Sequence, residues 1–230
     1  MDQLHRRLLQ IGFNAGPELG LVLAGGYALT AHDLLDRPSG DIDFATATSM
    51  PLPEVAERLA DAYRAASFQA DIIEATPRMA RLMVRTDSLT CEVDLLKEAI
   101  GPPTRLVVGP VLSLDDAVGL KVRALHDRAA HRDFVDVKAA NARLSWVEME
   151  RLGARHTAGF ALAELADRLS LIWALDDRGF ASYGLSDAGI FALRRWASEW
   201  TSDIRGRLAA GESGPEGVPE DEWDAYLDEP

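Results

Sequence analysis

The apolar positions of the first hundred residues fall in short runs and alternations, and those of the last hundred fall at helical spacing. Residues 3 to 13 read as a short leading helix. Leu21 to Ala24 form an unbroken apolar run closed by Gly25-Gly26, the pattern of a buried strand ending in a tight turn; residues 27 to 35 read as the helix after it. Arg37-Pro38-Ser39-Gly40 is a turn cluster, and Asp41-Ile42-Asp43-Phe44-Ala45 alternates acidic and apolar side chains as a half-exposed strand does. Pro51 and Pro53 open an amphipathic helix expected to reach Ser67. Residues 71–75, 80–86 and 89–96 read as three more strands, with Thr86-Asp87-Ser88 as a hairpin turn.

After Gly101-Pro102-Pro103 and a short Leu106-Val107-Val108 segment the pattern becomes helical. Ser113 can cap a helix whose first turn carries Asp115 and Asp116, running to about Asp127. Another helix starts near His131, and two more cover residues 159–175 and 187–209. The expected architecture is α+β: a mixed sheet of four to five strands with helices over residues 1–108, a helical part over 109–210, and a mobile acidic tail over 211–230.

Composition narrows the picture. Apolar residues make up 47% and charged residues 27%, the balance of a folded globular protein. No apolar run reaches membrane-spanning length, the first residues lack a signal-peptide core, and the single cysteine, Cys91, excludes an internal disulfide; a cytoplasmic protein without a membrane partner is expected. A net charge of −13 disfavours a nucleic-acid partner, but eight acidic residues after Gly211, with no Lys or Arg among them, supply −8 of it.

The candidate chemistry starts from Asp41 and Asp43. Strand residues two apart share a face, so two carboxylates project side by side, a costly arrangement unless a cation lies between them. A hard ion that also binds phosphates, Mg2+ or Mn2+, fits such a pair. Gly25-Gly26 between strand and helix lets the backbone approach a phosphate. Asp94, on the alternating strand Glu92-Val93-Asp94, can complete a three-carboxylate site for two metal ions or act as a base, with Glu92 as its competitor on the same face. Lys121 and Arg128 share a helix face, as do Asp133 and Asp136 on the next helix.

In order, Gly25-Gly26-Tyr27-Ala28-Leu29, Arg37-x-Ser39-x-Asp41-Ile42-Asp43-Phe44, Val93-Asp94-Leu95-Leu96, Leu120-Lys121-x-Arg123 and Arg132-Asp133-Phe134-Val135-Asp136 resemble the AbiEii/AbiGii nucleotidyltransferase toxins. That family includes the MenT toxins and has the polymerase β-like nucleotidyltransferase core. The resemblance spans about residues 21–140. It implies an NTP- and metal-dependent nucleotidyltransferase, with a tRNA 3′ end as acceptor and a cognate antitoxin as partner. It further implies metal binding by Asp41 and Asp43, phosphate contact by Lys121, a role near the nucleotide for Asp133 and more weakly Asp136, and a nucleotide-binding place for Gly25, Gly26, Arg37 and Ser39. Where relatives often carry Ser or Thr near the glycines, this chain has Gly26 and Tyr27, which leaves phosphate contact to the backbone. Two other functions fit the residues: transfer to an aminoglycoside-like small molecule or a protein hydroxyl, and nucleotide binding without turnover.

Overall fold

The computed structural model describes residues 1–36 and 39–219. Two compact units emerge, Met1–Ala117 and a second one beginning at Val118, the division falling inside one helix.

The first unit is built on a seven-stranded mixed sheet of order β3-β4-β5-β2-β1-β7-β6. Its strands are β1 (Val22–Leu23), β2 (Ile42–Thr46), β3 (Gln69–Ala75), β4 (Met79–Arg85), β5 (Thr90–Lys97), β6 (Thr104–Leu106) and β7 (Gly109–Val111). The β2–β5 and β1–β7 pairs are parallel; the others are antiparallel. Period-two alternation splits the central strands into two faces. Ile42, Phe44, Ala80, Leu82, Val84, Cys91, Val93 and Leu95 are buried, whereas Asp43, Arg81, Glu92 and Asp94 occupy the half-buried positions between them.

Helix α3 (Leu52–Ala65) packs on β3, β4 and β5, burying Leu52, Val55, Ala56, Leu59, Ala60 and Tyr63. Helix α1 (Gln3–Asn14) packs on α3, and its Phe13 ring meets Phe44 edge-on at 5.6 Å. Burial pushes the Cys91 thiol up to about 12, so it behaves as a small apolar core residue.

The sheet exceeds the expected four to five strands because residues 104–111 form a hairpin. Its two-residue turn is Val107-Val108, and Val107 is fully exposed. β-Branched residues carry none of the Gly or Asn signal that marks such turns, so the segment reads as a single apolar run. The helix expected from Tyr27 begins two residues earlier, as α2 (Gly25–Ala31), which places both glycines in its first turn.

Helix α4 (Leu114–Asp127) leads out of the first unit. The second unit holds α5 (His131–Ala140), α6 (Trp146–Ala154), α7 (Leu162–Ser170), α8 (Asp177–Ala181) and α9 (Asp187–Ala209). The 23-residue α9 is the spine against which α5, α7 and α8 pack. Trp196 and Trp200 are core residues, Trp200 stacking on Trp146 at 6.2 Å and donating to buried Glu150, whereas Trp173 is exposed. Helix α6 was not separately anticipated, although Ser145 and Glu148 form a capping box at its start.

The mobile tail expected from Gly211 is partly docked. Val218 donates to the Thr157 carbonyl at 3.1 Å and forms a parallel bridge with Ala158. A side chain at Gly217 would strike the backbone of Thr157 and Phe160, so the glycines permit this close approach. Residues 220–230, which carry most of the acidic charge, lie outside the described residues.

Candidate active site

In the first unit, register places three charged residues abreast on one face of the sheet. Asp43 on β2 lies opposite Asp94 on β5, and Asp94 lies opposite Arg81 on β4. Asp41 precedes β2 by one residue, in a bend, and accepts a 2.6 Å hydrogen bond from the Ser39 hydroxyl. Tyr27 donates to the Ser39 carbonyl at 3.1 Å, and its hydroxyl meets His5 Nδ1 at 2.6 Å. A chain of contacts, buried at its His5–Tyr27 end and half-buried beyond, thus runs from α1 through α2 to the loop holding Asp41. Burial, with Asp2 and other acidic groups adding to it, raises the Tyr27 hydroxyl to about 12, so it stays a neutral donor at neutral pH.

Gly25 sits at φ +60 with its backbone against Asp43; a Cβ there would overlap the carboxylate. Gly26 is less constrained, since a Cβ would meet only the Ser39 side chain, at 3.1 Å. Gly25 therefore makes room for the Asp43 carboxylate. Arg37, grouped with these residues in the sequence reading, lies outside the described residues.

Asp94, whose strand alternation offers it to a metal ion or a proton, has Arg81 as its partner: the Nε and Nη2 of Arg81 donate to its two oxygens at 2.8 and 2.7 Å. The same guanidinium lies 3.2 Å from Glu92, the competing carboxylate. Among the described residues, no three His, Cys, Asp or Glu side chains gather as a metal-binding group. The fork of a guanidinium matches a carboxylate in plane, and strand pairing alone brings the two together. Alternation in β4 marks Arg81 as sharing a sheet face with Asp94, but only the register makes them partners.

In the second unit, Lys121 Nζ lies 2.8 Å from the Asp136 carboxylate; Asp136 is completely buried and Lys121 only 14% exposed. Asp133, also completely buried, faces a different way. Its carboxylate accepts from the backbone N–H of Ala130, closing the first turn of α5, and from Arg128 Nε and Nη2, both at 2.9 Å. The two aspartates that the sequence put on one helix face thus do different jobs: Asp136 holds Lys121, and Asp133 holds the helix start. Asp133→Ala should therefore lower stability by about 1 to 2 kcal/mol through the lost cap, with transfer activity close to wild type. A thermal melt beside a transfer assay checks this, and loss of transfer at unchanged stability would return Asp133 to the chemistry.

The structure thus groups Gly25, Gly26, Ser39, Asp41, Asp43 and Asp94 within the first unit, and Lys121, Asp133 and Asp136 within the second. Among the described residues no helix is long and apolar enough to cross a membrane.

Known proteins add a fold and a family. JHP933 from Helicobacter pylori superposes with a TM-score of 0.54 at 17% identity, over 90% of this chain and 94% of that one. MenT4, a nucleotidyltransferase toxin from Mycobacterium tuberculosis H37Rv, does so with a TM-score of 0.52 at 18% identity, over 80% of this chain and 75% of that one. At such identities the likeness is one of fold. No curated protein matches the chain by sequence. The model of the family described as "Nucleotidyl transferase AbiEii toxin, Type IV TA system" matches residues 7–229, nearly the whole chain. With that match the chain belongs to the AbiEii family, the nucleotidyltransferase toxins of type IV toxin–antitoxin systems.

Proposed function

We propose that the chain transfers a nucleoside monophosphate from an NTP to a hydroxyl at the 3′ end of a tRNA, with one divalent cation, Mg2+ or Mn2+, held by Asp41 and Asp43. The observation that carries this reading is the carboxylate pair at the start of β2, with the Gly25 backbone kept bare against Asp43. Two hard oxygen donors two residues apart in the chain suit such an ion, whose chemistry would be to draw the triphosphate oxygens in and offset their developing charge. The residues do the rest. Ser39 holds Asp41 in orientation through its hydroxyl, while its backbone carbonyl accepts from Tyr27. The backbone at Gly25-Gly26 receives phosphate oxygens. Asp136 fixes Lys121 within the second unit, and the family resemblance gives that lysine a role toward nucleotide phosphates. In the transfer, the acceptor oxygen bonds to the α-phosphorus as the bond to the bridging oxygen breaks. The acceptor proton passes to bulk water and pyrophosphate leaves.

A small cationic acceptor such as an aminoglycoside is the second reading, favoured by the net charge of −13. Incubation with each labelled NTP, Mg2+ or Mn2+ and either total tRNA or an aminoglycoside panel separates the two. Label on the tRNA 3′ end, abolished by Asp43→Ala, is the expected result. Label on the drug alone would remove the RNA acceptor, and no consumption of any NTP would leave nucleotide binding without turnover.

A further inference from the structure

Asp43 and Asp94 are register partners on adjacent parallel strands, about 4.8 Å apart in such a sheet. Two carboxylates that close need a compensating cation. For Asp94 that cation is already part of the protein. Arg81, its partner on the other side, engages both its oxygens and also reaches Glu92, and the Asp94 side chain is only 13% exposed. A guanidinium stays charged at every relevant pH. A divalent ion on Asp94 would have to take the lone pairs that the bidentate pair leaves, beside the guanidinium's own positive charge, or break that pair.

We infer that Arg81 occupies, with a permanent side-chain charge, the place a second divalent cation would take in a three-carboxylate centre, so that the chain holds a single ion on Asp41 and Asp43. This rests on the metal reading given under Proposed function. Arg81 is then a positioning residue: it neutralises Asp94 and Glu92 and keeps Asp94 from competing for the ion.

The test is a titration of the full chain with Mn2+ alone, free ion being followed by electron paramagnetic resonance, so that no turnover is involved. Wild type should bind one Mn2+ per chain. Asp43→Asn should weaken that binding by about tenfold or more, Asp94→Asn by less than about twofold, and Arg81→Lys should keep one ion. Arg81→Gln, by freeing Asp94, should add a second. Two ions on the wild type, or a loss in Asp94→Asn as large as in Asp43→Asn, would overturn the single-ion centre while leaving the transferase reading intact. No Mn2+ on folded wild type would instead strike the metal reading itself, and this inference with it. Circular dichroism establishes that each variant is folded; should Arg81→Gln fail that check, Asp94→Asn decides.

Discussion

Lys121→Ala is expected to abolish nucleotide transfer and also to destabilise the second unit by about 3 to 5 kcal/mol, a combination unusual for removal of a surface-facing catalytic lysine. The reason is its partner. Asp136 is completely buried, and Lys121 lies 2.8 Å away with 14% of its side chain exposed. Taking away the ammonium deprives a buried carboxylate of this counter-ion, whereas replacing both members by apolar residues of similar size can be neutral or stabilising. The double variant Lys121→Met, Asp136→Leu should therefore recover most of the lost stability and none of the transfer. Denaturant unfolding of the single and double variants, alongside labelled-NTP transfer, separates the two roles. A Lys121→Ala protein as stable as wild type would show that the pair contributes nothing to the fold. A double variant that transfers nucleotide would remove Lys121 from the chemistry.

Gly25→Ala should reduce transfer by about a hundredfold or more, because a misplacement near 1 Å in a reacting constellation costs about that much. The added methyl would sit where the Asp43 carboxylate now lies, so Asp43 must turn away. A φ of +60 adds roughly 1 to 2 kcal/mol of backbone strain for any residue with a Cβ. Gly26→Ala is the matched control: its methyl meets only Ser39 Oγ, at 3.1 Å, which a small side-chain adjustment relieves. It should lose less than about tenfold. Steady-state transfer rates and Mn2+ affinity of the two variants give the comparison. Equal rates for both would mean that Asp43 does not depend on the bare backbone at Gly25.

Where residues carry their own geometric signature, the chain could be read directly. Asp43 takes the half-buried position of β2 that period two predicts, whereas Asp41 stands in the bend just before the strand, and the glycine pair followed by a helix marks a close backbone approach. The α1, α3, α4 and α9 spans follow from helical spacing and capping residues such as Ser113, and the 86–88 hairpin from its turn chemistry. The family resemblance rested on those same local patterns. The hairpin at 104–111 was illegible because Val107-Val108 imitates a strand interior, and the docking of Val218 because a Gly- and Glu-rich segment looks solvated whether or not a backbone bridge pins it.

What the sequence alone determined is the set of charged groups, the α+β order and the chemistry class, since these depend on residue type and local period. The tertiary structure decided the partners. Asp94 reads from its strand as a free ligand, yet the β4–β5 register sets Arg81 opposite it. Asp133 and Asp136, alike in spacing and equally buried, separate into a helix cap and the anchor of Lys121. An ion pair across strands or helices is fixed by register and packing angle, quantities set by the whole core, and so no window of sequence contains them.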